Sequence, residues 1–124
     1  MLKPSLPATG RLILLVDDEP LVRAGTALML EELGHRVIQA LTAVQGLVLL
    51  EENNAIEMLI TDFRMPDMDG LQFIARAKEM RPAVTALLMT GYNADDPRFA
   101  DVATPRLAKP FGFDALEAAL LQAL

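Results

Sequence analysis

Five short apolar runs alternate with segments of helical spacing, and this alternation limits the fold more than any other feature of the chain. The runs are Leu12-Ile13-Leu14-Leu15-Val16, Val37-Ile38-Gln39-Ala40, Ile56 to Ile60, Val84-Thr85-Ala86-Leu87-Leu88-Met89 and Arg106-Leu107-Ala108-Lys109. A run of four to eight mostly apolar residues bounded by turn formers reads as a strand. Strands that alternate with helices imply a parallel sheet with right-handed crossovers and helices on both faces. The 124 residues suit one domain around a single core, and 52% hydrophobic residues supply the material for it.

The intervening helices are read from punctuation and period. Asp17-Asp18-Glu19-Pro20 reads as a helix start, with acids at the positive dipole end and proline near the first helical position. Leu21, Ala24, Leu28, Met29 and Leu33 then fall on one broad face, and Gly34 closes the helix. Val44, Leu47, Val48 and Leu50 suggest a second helix ending at Asn53-Asn54. Leu71, Ile74, Ala75 and Met80 suggest a third, stopped by Pro82. A short helix is expected from Asp96-Pro97 through Phe99 and Val102, and a terminal one carries Phe113, Leu116, Leu120 and Leu121. Residues 1–10, with two prolines and no periodicity, read as a tail or linker, so the folded domain is expected over 11–124.

Within this frame the acids are placed tellingly. Ile56-Glu57-Met58-Leu59-Ile60-Thr61-Asp62 ends in an aspartate and breaks into a turn through Pro66 and Gly70. The first run likewise ends in Asp17-Asp18. In an open parallel sheet, ligands and chemistry collect outside the carboxyl ends of the strands, so Asp17, Asp18 and Asp62 can meet at one edge. A net charge of -6 argues against direct nucleic-acid binding. The absence of cysteine excludes disulfides and thiolate metal sites and is compatible with a reducing cytoplasm. No apolar stretch approaches membrane-span length, so no membrane partner is expected.

Asp17-Asp18 after the first strand, Asp62 after the third, Thr90 after the fourth and Lys109-Pro110-Phe111 after the fifth, with Met65-Pro66 and Asp69-Gly70 between, resemble the receiver domain of two-component response regulators. The resemblance covers the chain from about Arg11 to its end. It implies a flavodoxin-like, doubly wound five-stranded sheet of order 2-1-3-4-5. It also implies that Asp62 accepts a phosphoryl group from the phosphohistidine of a sensor histidine kinase, acting in trans or from the same chain, and passes the signal to a downstream protein or output domain. Such a domain is not an enzyme beyond promoting its own phosphorylation and dephosphorylation.

The residue types suit that chemistry. A carboxylate is a competent nucleophile towards phosphorus, and the transfer is mostly positioning and charge stabilisation. Mg2+ takes oxygen ligands and is usually held by one or two carboxylates with waters. As the resemblance implies, Asp18 and Asp62 bind the metal directly, Asp17 acts through water and the backbone carbonyl of Arg64 completes the set. Lys109 offers positive charge to the phosphoryl oxygens and Thr90 a hydroxyl. The resemblance also implies a cis peptide before Pro110 that aims the lysine inward.

Taken singly, each residue has a plainer reading. Asp17-Asp18 could cap a helix, Asp62 could be a turn residue, and Thr90 and Lys109 could be a loop hydroxyl and a solvated charge. His35 reads as a surface residue; Met29, Met58 and Met89 read as core filler, and Phe63 and Phe111 as packing residues. A phosphatase of the haloacid-dehalogenase type would need a second aspartate where Arg64 stands. A flavin site would need a phosphate-binding loop where Asp17-Asp18-Glu19 repel phosphate. The remaining alternative is a non-phosphorylated pseudo-receiver acting as a protein-interaction module.

Two features depart from the resemblance. The family usually carries Tyr or Phe three residues before the lysine, and Arg106 stands there. The connection from Thr90 to Lys109 is short and interrupted by Pro97. Arg106 is expected to stay solvent-facing, because burying an unpaired guanidinium costs far more than burying a ring. Thr90-Gly91-Tyr92-Asn93 and the proline-rich start resemble receivers at the ends of hybrid histidine kinases, so the chain is read as a single-domain regulator or, slightly favoured, as such a receiver.

Overall fold

The computed structural model describes residues 10–91, 97–99 and 103–124. Five strands, β1 (Leu12–Val16), β2 (Arg36–Ala40), β3 (Met58–Asp62), β4 (Thr85–Thr90) and β5 (Arg106–Ala108), alternate with four α-helices, α1 (Pro20–Glu32), α2 (Ala43–Glu52), α3 (Gly70–Met80) and α4 (Phe113–Ala123). The strands form one sheet of order β2-β1-β3-β4-β5, every pair parallel. This is the order that the resemblance implied.

The three central strands are covered on both faces, which is why they read as unbroken apolar runs. Leu12, Leu14 and Val16 of β1 join Leu59 and Leu88 in one core with Phe63, Phe73 and Leu50. Ile13 and Leu15 join Met58, Ile60, Leu87 and Met89 in a second core with Leu30 and Leu116. Side chains of a strand alternate in direction, so each central strand feeds both cores. At the edge, β2 is mostly exposed or half-buried, with Ala40 its one buried residue.

The helices form where expected, and of the expected apolar positions Leu33, Leu50, Ile74, Leu116 and Leu120 are buried while others face outwards. In α1, Leu21 is 89% exposed and Leu28 62% exposed, and Ala24 is exposed too, whereas Thr26, Ala27 and Leu30 are buried. Apolar residues occupy two arcs of this helix, and the arc bearing a threonine is the one that packs. The Thr26 hydroxyl donates to the Val22 carbonyl at 2.9 Å, so its burial leaves no unpaired donor. In α2 the buried residues are Ala43, Gly46 and Leu50, with Val44 and Val48 exposed. In α3, Phe73, Ile74 and Ala77 are buried, while Ala75 and Met80 are exposed. In α4, Leu116, Ala119 and Leu120 pack and Leu121 points outwards. Small residues, Ala27, Ala43, Gly46, Ala77 and Ala119, share these buried faces because close helix-to-sheet packing selects them.

Of the expected tail, only Gly10 lies within the described residues. Of the segment from Asn93 to Thr104, Pro97–Phe99 forms a 3-10 turn with Phe99 buried, and most of the helix expected from Asp96 to Val102 lies outside the described residues. Among the described residues no helix is long and apolar enough to cross a membrane.

Candidate functional site

β1 and β3 are paired neighbours, Val16 opposite Thr61, so the residues that follow them emerge together at the carboxyl edge of the sheet. Asp17, Asp18 and Asp62 each offer a carboxylate oxygen, and these atoms all lie within 4.8 Å of one another. Asp17 and Asp62 are buried and Asp18 is exposed. Lys109, just beyond β5, sends its Nζ to Asp17 Oδ2 at 3.0 Å and to Asp62 Oδ2 at 3.2 Å. The Lys109-Pro110 peptide is cis, as the resemblance implied. Thr90 ends β4, buried, and its carbonyl accepts the Lys109 N–H at 2.6 Å. The sheet thus brings all five predicted side-chain-bearing positions to one edge. Arg64, whose backbone carbonyl was the remaining candidate, lies on the β3–α3 loop and borders the same space.

Electrostatics sets the two central groups apart. Burial pushes the Asp62 carboxyl above the usual carboxylate range; Lys109 opposes this, while Asp17 and Asp18 add to it. Burial alone would lower Lys109, but its hydrogen bond to Asp17 and the charges of Asp62 and Asp17 outweigh it and hold the ammonium above its ordinary value. The lysine is firmly cationic, and the acid beside it is costly to ionise without a further positive charge. Three hard oxygen donors so close together suit a hard divalent cation such as Mg2+.

Several contacts escaped the sequence reading. Glu19 reaches Lys109 at 3.3 Å from the rim. Arg23 donates to the Asp17 carbonyl at 2.8 Å and to Gln39 Oε1 at 3.1 Å, tying the acidic turn to α1 and β2. The buried Thr61 hydroxyl bonds the Asp62 carbonyl at 3.0 Å. Gly70 donates to the Phe63 carbonyl at 2.7 Å, and a Cβ there would collide with the Asp62 carbonyl oxygen and the Leu88 side chain, so the turn after Asp62 requires glycine. His35 is half-buried rather than a surface residue, its Nδ1 accepting the Arg11 N–H at 3.0 Å.

An open groove of about 1110 Å³ leads from Asp62 and Lys109 along α1, past Leu21 and Val22, to Pro110 and Phe111. A smaller cleft of about 380 Å³ lies between Asp18 and the β3–α3 loop. Away from the acids, the Phe99 ring stands edge-on to Phe63, centroids 4.9 Å apart. Arg106 is exposed, as expected; its Nη1 donates to the Phe99 carbonyl at 3.0 Å and its guanidinium lies 5.3 Å from the Phe99 ring centre.

The family model for the response regulator receiver domain matches residues 13–121. The chain belongs to that family. Among curated relatives of this receiver, the transcriptional regulatory protein GlrR of Escherichia coli (strain K12) is 32% identical over 117 residues, covering 90% of this chain and 26% of that protein. The receiver therefore spans about a quarter of the length of such relatives. Among solved structures, a response regulator receiver domain protein from Clostridium thermocellum is 30% identical with a TM-score of 0.81, covering 91% of this receiver and 93% of that chain. The receiver domain from the hybrid histidine kinase CckA is 27% identical with a TM-score of 0.76, covering 91% and 98%.

Proposed function

We propose that Asp62 is the phosphoacceptor of this receiver, taking a phosphoryl group from a histidine kinase phosphohistidine. In that step the phosphorus–nitrogen bond breaks, a phosphorus–oxygen bond forms to the Asp62 carboxylate, and the imidazole leaves. The observation that carries the reading is the Lys109 ammonium held between Asp17 and Asp62, with Asp18 beside them. Lys109 is placed to meet the incoming phosphoryl oxygens, and Thr90, its hydrogen-bonded neighbour on β4, is assigned to donate to them. Asp17, Asp18, Asp62 and the Arg64 backbone carbonyl would hold Mg2+, which when bound supplies the positive charge that offsets the clustered carboxylates and the phosphoryl oxygens.

The groove along α1 supports a kinase as partner, since exposed Leu21 and Val22 border the space that opens onto Asp62. Residues 11–124 form the receiver in this reading and 1–10 a linker, in a cytoplasmic protein. Likeness to the CckA receiver is compatible with a place in a hybrid kinase, and likeness to GlrR with a place in a transcriptional regulator. Output passes through the connection after Thr90, with Arg106 outside, and reaches a downstream protein or output domain. The test is incubation with a small phosphodonor and Mg2+, followed by the stability of the product. A phosphoryl group lost in both acid and base is the acyl phosphate expected here; an acid-stable one, or none, contradicts the reading and favours a pseudo-receiver.

A further inference from the structure

Asp67 lies on the β3–α3 loop, five residues past Asp62, yet its carboxylate serves a different helix. Oδ2 accepts the Val44 N–H at 2.8 Å, and Oδ1 accepts the Met68 N–H at 3.1 Å and, more weakly, the Ala43 N–H at 3.4 Å. The first-turn N–H groups of a helix have no partner within it, so an acceptor there is stabilising, and a charged one more so. Yet α2 has a cap of its own, because Thr42 Oγ1 accepts the Gln45 N–H at 3.1 Å. The helix start therefore has two acceptors, one local and one brought from 23 residues away.

The second acceptor ties the loop to the helix start. Phe63 is fixed in the core, its N–H donating to the Met89 carbonyl at 2.9 Å and its carbonyl accepting the Gly70 N–H at 2.7 Å; beyond it, Met65 and Met68 pack against the core, and the Thr61 hydroxyl lies 3.8 Å from Met65 Sδ. Arg64, Met65 and Pro66 are strung between the β3 end and the Asp67 carboxylate, and they form one wall of the cleft that faces Asp18. Pro66 has a fixed φ, so an anchor one residue later limits the orientation of the peptide units before it. Burial is the largest single influence on Asp67 and opposes its ionisation, but the backbone N–H groups of Val44, Asp67, Ala43 and Met68 together outweigh it and hold its carboxyl below the usual range, so the anchor stays ionised near neutral pH.

We propose that Asp67 is a positioning residue for the metal site: by clamping the β3–α3 loop to the first turn of α2, it holds the Arg64 backbone carbonyl towards the acid cluster. This rests on the assignment of that carbonyl as a Mg2+ ligand, which the wild-type titration checks separately. Residues that orient metal ligands from behind typically cost tenfold or more in affinity when removed.

The experiment is Mg2+ titration by calorimetry, with melting curves, on wild type, Asp67→Ala, Asp67→Asn and Thr42→Ala. Thr42→Ala is the control, since it removes an α2 cap without touching the loop. The expected result is an Mg2+ Kd raised about tenfold in Asp67→Ala, partly restored in Asp67→Asn, whose amide oxygen can still accept an N–H, and unchanged in Thr42→Ala although that variant melts lower. An Asp67→Ala variant that melts lower but binds Mg2+ as the wild type does would reduce Asp67 to a second helix cap and overturn the proposal. Equal weakening in Thr42→Ala would overturn it too, by tracing the effect to α2. Failure of the wild type to bind Mg2+ would instead remove the reading on which the proposal rests.

Discussion

The ammonium of Lys109 lies 3.2 Å from the carboxylate of Asp62, and from the same position it reaches Asp17 at 3.0 Å. This cation holds the acid pair together in the resting protein, and its removal leaves two buried carboxylates facing each other. Breaking a buried pair by deleting one partner typically costs about 3 kcal/mol or more. Lys109→Met is therefore expected to melt well below the wild type in EDTA and to recover a larger share of stability from Mg2+ than the wild type gains. Thermal melts of both proteins with and without Mg2+ check this. Equal stability in EDTA would contradict the role given to the lysine.

Mg2+ should stabilise the wild type by mass action, by about 2.7 kcal/mol at a hundredfold excess over Kd. Asp18 is the exposed member of the acid group, so Asp18→Ala should remove the effect while disturbing the fold little. A melting temperature that does not respond to millimolar Mg2+ in the wild type, or responds equally in Asp18→Ala, would count against the metal assignment.

Arg106 holds the β4–β5 connection from outside, through the Phe99 carbonyl and ring. Arg106→Ala should cost on the order of 1 kcal/mol and shift the amides around Phe99. With a beryllofluoride phosphoryl mimic, amide shifts are expected at Thr90, Gly91 and Phe99, with Arg106 still solvent-facing. Movement of Arg106 into the core, or a still Thr90 loop with a moving α1, would contradict this route of output.

The acid cluster was legible in the sequence because the apolar runs stop at Asp17 and Asp62, and a parallel sheet brings such ends to one edge. Thr90 and Lys109 became meaningful through their order along the chain. The buried arc of α1 was legible only in part: of the expected face Leu33 is buried and Met29 half-buried, but Leu21, Ala24 and Leu28 make as good a stripe as Thr26, Ala27 and Leu30, and only the crossover onto the sheet decides between them. Asp67 gave no local signal either. Its partners Ala43 and Val44 stand on another helix, and the sequence around Met65-Pro66-Asp67 describes a turn without saying what the turn is tied to.

His35 gives the fold a mild acid sensitivity. Burial first, and then the Arg11 charge, lower its folded pKa below the ordinary value of 6.5, against a smaller opposing effect of Glu57. The unfolded chain thus binds the proton more readily. The stability tied to neutral His35 is complete above 6.5 and declines as pH falls from there towards the lowered folded pKa. His35→Asn, whose side-chain oxygen can still accept the Arg11 N–H, should flatten the dependence of melting temperature on pH across this window. An unchanged slope would show that other groups cause it.

Phosphorylation at Asp62 is the central claim, and intact-mass measurement after incubation with acetyl phosphate tests it most directly. The wild type with Mg2+ should gain the mass of one phosphoryl group, the gain should fall away in EDTA, and Asp62→Asn, which keeps the side-chain shape but lacks the nucleophile, should gain none while melting at or above the wild-type temperature. A gain of wild-type size in folded Asp62→Asn would contradict the account.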